Sequence, residues 1–200
     1  MGSSLSRCRV TFPYWKDSRK RPSVRGMTAS KFAAQLTAQI GEEFAAHQQY
    51  LAIAVHYEAL TLPQLAGFFY RQAREESGHA KMMVQYLLDT DQPVRLPAIT
   101  EPTNDFDGVV GPVELAVTQE KRVTEQIHEL TAIAREVNDF AAEQFMQWFI
   151  KEQVEEVATM QDLLAVVRRS EDDLNDIEAY VQRDLSAGGQ DPTAPRQAGE

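Results

Sequence analysis

Apolar residues recur at helical spacing along four long stretches of this chain, the pattern of amphipathic helices that each bury one face. In the first, from Thr28 to about Leu60, the stripe is Phe32, Leu36, Ile40, Phe44, Leu51 and Val55. Thr61-Leu62-Pro63 ends it, because proline disfavours the helical conformation of the residue before it. The same proline suits the first turn of a second helix, which runs to about Leu88. From Asp91 to Pro112 the chain holds Pro93, Pro97, Pro102, Gly108, Gly111 and Pro112, which predicts a long connection. A third helix follows from Val113 to Val137. Asn138-Asp139 turns the chain into a fourth, ending near Arg168. Ser170 and Asp173 then open a short fifth helix with Leu174, Ile177, Val181 and Leu185 as its stripe. The expectation is all-α: a four-helix bundle with a long crossover between the second and third helices.

The segments outside that pattern differ in composition. Residues 1–26 carry Arg7, Arg9, Lys16, Arg19, Lys20, Arg21 and Arg25 against Asp17 alone, and read as a basic, flexible N-terminal arm. The helical domain spans 27–186. Residues 187–200, with three glycines, two prolines and polar side chains, read as a disordered tail. The formal net charge of −10 makes the body repel nucleic acid and attract cations. No apolar run reaches the roughly 18 residues of a membrane span. One cysteine, Cys8, excludes an internal disulfide and a four-cysteine metal site, and a reducing cytoplasm is the simplest setting.

Carboxylates interrupt the apolar stripes at matched heights. With one histidine and one glutamine they are Glu43; Glu75, Glu76 and His79; Glu120; and Glu152, Gln153, Glu155 and Glu156. Glu76 and His79 are three apart, as are Gln153 and Glu156, so each pair shares one helix face. The midpoint of Glu43 and Glu76 falls beside the Pro63 turn, and that of Glu120 and the Gln153–Glu156 pair falls beside the Asn138 turn. Each set therefore lies about 25 Å from its turn, at 1.5 Å per residue, in mid-bundle. Such carboxylates, buried without a cation, would each cost several kcal/mol. Glu43, Glu76, Glu120 and Glu156 together balance two divalent cations. One imidazole among oxygen donors suits iron or manganese.

On these motifs, and on Phe145-Met146-Gln147-Trp148-Phe149 leading into Glu152, the chain resembles a bacterial non-haem ferritin over about 27–186. The resemblance implies a ferritin-like bundle, iron storage and ferroxidase activity, with Fe(II) oxidised by O2 or H2O2 and mineral deposited in a hollow homo-oligomeric shell of 24 subunits. It implies that Glu43, Glu76 and His79 bind one iron and Glu76, Glu120 and Glu156 a second. Gln153 would hydrogen-bond within the centre, and Glu75, Glu152, Glu155 and Glu156 would form a third iron site. Tyr50 and Trp148 would donate electrons or stabilise the centre.

Bacterioferritins carry a methionine between the Glu and His of their second helix to ligate haem, where this chain has Ser77. They also carry Glu-x-x-His on the fourth helix, where this chain has Gln153-x-x-Glu156. The resemblance therefore implies no haem. His47, four residues after Glu43, is a lesser candidate ligand, and Glu143 a candidate pore residue. A di-iron oxidase without storage, or a metal-free helical bundle that binds a partner, remain the alternatives.

Overall fold

The computed structural model describes residues 30–186 and 191–199, so the basic arm and Cys8 lie outside the described residues. Five helices follow in order: α1 (Lys31–Ala59), α2 (Pro63–Asp89), α3 (Val110–Glu136), α4 (Phe140–Arg169) and α5 (Leu174–Asp184). Side chains cap the starts of α1, α4 and α5. Ser30 Oγ accepts from the Ala33 N–H at 3.1 Å, and Asp139 accepts from Ala142 at 3.0 Å. α3 begins at Val110, ahead of the expected Val113, with Gly111 and Pro112 in its first turn. Proline is tolerated there because a first-turn N–H has no intrahelical partner to lose.

Three helix ends share one device. Thr61, Asp91 and Asn138 take positive φ angles of 63°, 53° and 56° after α1, α2 and α3. The next N–H then reaches back five residues, Leu62 to Tyr57, Gln92 to Leu87 and Asp139 to Ala134, at 3.0, 2.8 and 2.9 Å. These are Schellman endings, which satisfy carbonyls the helix leaves open.

The crossover from Thr90 to Val109 runs along α1. Gln49 holds it as a strand partner would, donating to the Thr103 carbonyl at 3.0 Å and accepting from its N–H at 2.8 Å. Tyr57 donates to the Val109 carbonyl at 2.7 Å. At Gly41 an added Cβ would lie 2.7 Å from Pro97 Cγ, so only glycine admits this approach.

The core forms two apolar clusters stacked along the bundle. One gathers Tyr50, Ile53, Tyr57, Leu65, Phe69, Val113, Leu163 and Ile177, beneath α5. The other gathers Phe32, Leu36, Ile40, Met83, Leu87, Ile127, Leu130 and Phe149. On every long helix the residues between the clusters include the acidic positions singled out above.

Two expectations need correction. Val55 is 58% exposed, and the buried stripe of α1 runs instead through Glu43, Ala46, Tyr50, Ile53, Ala54 and Tyr57. The helix face turned to its neighbours includes the polar Glu43, and a stripe drawn through apolar residues alone drifts off it. The tail is the second. Residues 191–199 lie along α2 and α4 rather than free. Asp191 accepts from Lys151 Nζ at 2.7 Å, the Ala198 N–H donates to the Lys81 carbonyl at 3.1 Å, and Ala194 packs on the second cluster. Ala194, Pro195 and Ala198 are half-buried there, a seat that the tail's composition does not reveal.

Candidate metal centre

Between the two apolar clusters, the four long helices each turn polar side chains inward. Glu43, Glu76, His79, Glu120, Gln153 and Glu156 are all buried. Two three-residue sets could each hold a cation, their ligand atoms lying within 4.8 Å of one another: Glu43, Glu76 and His79, and Glu76, Glu120 and Glu156. Glu76 belongs to both. His79 Nδ1 lies 3.3 Å from a Glu76 oxygen and 4.0 Å from Glu156 Oε1.

A second tier of polar side chains holds these. Gln39, one turn before Glu43, donates to Glu43 Oε1 at 3.0 Å and to Gln126 Oε1 at 3.3 Å. Tyr50 donates to Glu120. Gln153 Nε2 donates to Glu156 and, at 3.4 Å, to Glu120. Thr124 lies 2.9 Å from Gln153 Oε1. Glu43 Oε2 is buried without a hydrogen-bond partner. An acidic oxygen buried and unpaired, in a cage of carboxylates and one imidazole, fits a divalent cation such as ferrous iron.

Burial governs the protonation of this layer. It raises Glu76 and Glu156 well above the usual carboxylate range, with neighbouring carboxylates adding to the shift. Glu43 is raised by burial, and Glu120 is pushed up to about 7 by burial against the hydrogen bond from Tyr50. His79 is held down to about 4 by burial, so its imidazole is neutral and free to ligate near neutral pH. A cation entering this layer would therefore compete with protons for Glu76 and Glu156.

The outer acidic residues sit differently. Glu75 and Glu155 are exposed and Glu152 is half-buried, all lining a cleft of about 220 Å³ beside Glu156. Glu152 comes together with His79 and Glu156 within the same 4.8 Å limit, while neither Glu75 nor Glu155 joins such a set among the described residues. Gln72 donates to Glu75. Burial raises Glu75 and Glu152, and Arg71 and Arg74 offset part of the shift at Glu75.

Of the two aromatic candidates, Tyr50 is fully buried and bonded directly to the centre through Glu120. Trp148 stands edge-on to the His79 ring, centroids 5.6 Å apart, and its indole N–H donates to Asp191 at 3.2 Å. His47 is engaged elsewhere, its Nδ1 lying 2.6 Å from the Ala73 carbonyl. Glu143 pairs with Arg135 at 2.6 Å in the first turn of α4, favourably placed for the helix dipole. Gln39, Thr124 and Asp191 were not foreseen. Gln39 and Thr124 each lie four residues from an acidic ligand, a spacing that marks a shared face; Asp191 leaves no such trace.

The model of the ferritin-like domain matches residues 33–170. Ferritin BfrB of Mycolicibacterium smegmatis is 51% identical over 174 residues, covering 87% of this chain and 96% of that protein. A Mycobacterium tuberculosis protein named bacterioferritin BfrB is 46% identical over 170 residues, covering 85% of this chain and 94% of its own. Among solved structures, an open-pore ferritin from the archaeon Archaeoglobus fulgidus superposes with a TM-score of 0.74 at 29% identity, over 78% of this chain and 96% of that one.

Proposed function

This chain belongs to the ferritin family, and from that premise we propose that it is a non-haem, iron-storing ferroxidase of the cytoplasm. The observation that carries the reading is the pair of three-ligand sets sharing Glu76. Glu43, Glu76 and His79 take one ferrous ion; Glu76, Glu120 and Glu156 take the second. The carboxylates of Glu43, Glu76, Glu120 and Glu156 neutralise the two divalent charges, and desolvation makes that attraction strong. Each ion gives up one electron, so that two Fe(II), O2 and two protons yield two Fe(III) and H2O2, or two Fe(II) and H2O2 yield two Fe(III) and two hydroxides. The excess positive charge then favours hydrolysis and departure of ferric product toward mineral.

Gln153 and Tyr50 orient the carboxylates. Glu152, with Glu75 and Glu155 at the outer cleft, holds a third iron in transit. Trp148, edge-on to the His79 ring, stabilises that side of the centre. Ser77, in place of the methionine that bacterioferritins use, supports a protein without haem. The assembly is a closed homo-oligomeric shell of 24 subunits. No helix among the described residues is long and apolar enough to cross a membrane, and the acidic body gives no surface for nucleic acid.

Electron microscopy of protein loaded aerobically with Fe(II) tests this reading. Hollow shells with electron-dense cores are expected. Oxidation of a few irons per subunit without a core would favour an oxidase that does not store.

A further inference from the structure

Thr124 stands one helical turn after Glu120 and touches no ligand oxygen of the centre, yet its hydroxyl has two partners. Its Oγ1 lies 2.8 Å from the Glu120 carbonyl and 2.9 Å from Gln153 Oε1. A hydroxyl carries one hydrogen and can donate along only one of these directions. On its far side the Gln153 amide turns Nε2 to Glu156 and, at 3.4 Å, to Glu120 Oε2.

Two arrangements satisfy the same heavy atoms. In the first, Thr124 donates to Gln153 Oε1, and both hydrogens of Nε2 face the carboxylates. In the second, Thr124 donates to the Glu120 carbonyl, its lone pair accepts from Nε2, and Gln153 Oε1 faces the centre. Thr124 loses nothing in the exchange, because it is donor in one arrangement and acceptor in the other. The carboxylates do not share that indifference. Bare, they demand the N–H side; with a cation between Glu120 and Glu156, the N–H side is repelled and the oxygen becomes a further donor.

We propose that Thr124 is a positioning residue that lets the Gln153 amide turn over when the second cation enters, so that the pair works as a two-position switch. This rests on the paired-cation reading above. It also explains why an amide, and not a carboxylate, occupies position 153: only an amide offers a donor face and an acceptor face.

The test is binding of Co(II), which is redox-inert here, to anaerobic assembled protein, followed by calorimetry and by its visible absorption, which reports ligand number and geometry. Two ions per subunit are expected, with the spectrum of the second gaining an oxygen donor. Thr124→Val keeps the shape and removes both donor and acceptor. It should weaken the second ion about tenfold, the loss of one half-buried hydrogen-bond partner, and leave the first unchanged. Thr124→Ser should restore binding. In a Gln153→Leu background, Thr124→Val should change nothing further, since its effect passes through the amide. Equal losses in both backgrounds, or an unaltered second site in Thr124→Val, would overturn the switch while two ions in the unmutated protein upheld the paired centre. Failure of the unmutated protein to bind a pair would overturn both.

Discussion

Glu75 and Glu76 are adjacent on α2, and their surroundings are opposite. Glu76 is 2% exposed, enclosed between two apolar clusters, and faces Glu43, Glu120 and Glu156. Glu75 is exposed at a cleft, hydrogen-bonded by Gln72 and eased by Arg71 and Arg74. The same side chain is thus fully enclosed among like charges in one place and, in the next, at a cleft where its partial desolvation is offset by Gln72, Arg71 and Arg74. Buried carboxylates that repel one another are satisfied by a cation or by protons, whereas solvated ones are content in water. On the proposed reading, the inner layer is therefore where a cation would bind with the greatest gain, and the outer set would suit brief, weaker contact.

The sharpest way to break this comparison is at Glu76 itself. Glu76→Ala should slow rapid Fe(II) oxidation more than about 100-fold, beyond what disturbance of outer-shell groups costs, while shells still assemble. Stopped-flow absorbance beside size exclusion checks it, and a near-normal rate in assembled mutant would remove Glu76 from its bridging role.

Protons offer a second way. Folding raises the affinity of Glu43, Glu76, Glu120 and Glu156 for protons, in the case of Glu120 up to about 7. That contribution to stability is full below the ordinary value of 4.5 and is lost as pH rises through the folded one. His79, lowered to about 4 from 6.5, acts in the opposite direction between those values. Carboxylates outnumber it, so the melting temperature of cation-free protein should fall between about pH 5 and 7.5. Glu120→Gln should flatten the slope, and a bound divalent cation should reverse it. A melting temperature that climbs over this range would contradict the inner layer's assigned strain.

At the outer set the expected effect is smaller. Glu152→Ala should keep the initial rate within about threefold, below the 10- to 100-fold cost of disturbed metal shells, and change the iron-to-oxidant ratio. Oxygen-electrode titration reads the ratio; an unaltered value would reduce the outer glutamates to solvated charge.

Smallest of all is a change outside both regions. Thr61 is β-branched at φ 63°, a conformation that glycine takes freely. Thr61→Gly should stabilise the fold by ~0.5–1 kcal/mol in denaturant unfolding and leave oxidation untouched. A change in oxidation would mean that the turn and the centre are coupled.

The helices and the convergence of the inner polar residues were legible in the sequence because both rest on short-range periodicity. Pro63 and Asn138 place the turns, and the distance from each turn sets the height of Glu43, Glu76, Glu120 and Glu156. What the sequence hid depends on contacts between distant segments. The tail's seat on α2 and α4, Asp191 beneath Trp148 and the approach of Pro97 to Gly41 carry no period. Val55 misled for a related reason: a helix facing a polar layer buries Glu43 and turns an apolar side chain outward.

The central claim is that two ions share Glu76 in the middle of the bundle. Anomalous diffraction at the iron edge, from crystals soaked anaerobically with Fe(II), tests it most directly. The account predicts two strong peaks in each subunit, about 3.5–4 Å apart, one toward Glu43 and His79 and the other toward Glu120 and Glu156. A single peak, or iron confined to the cleft of Glu75 and Glu155, would contradict it.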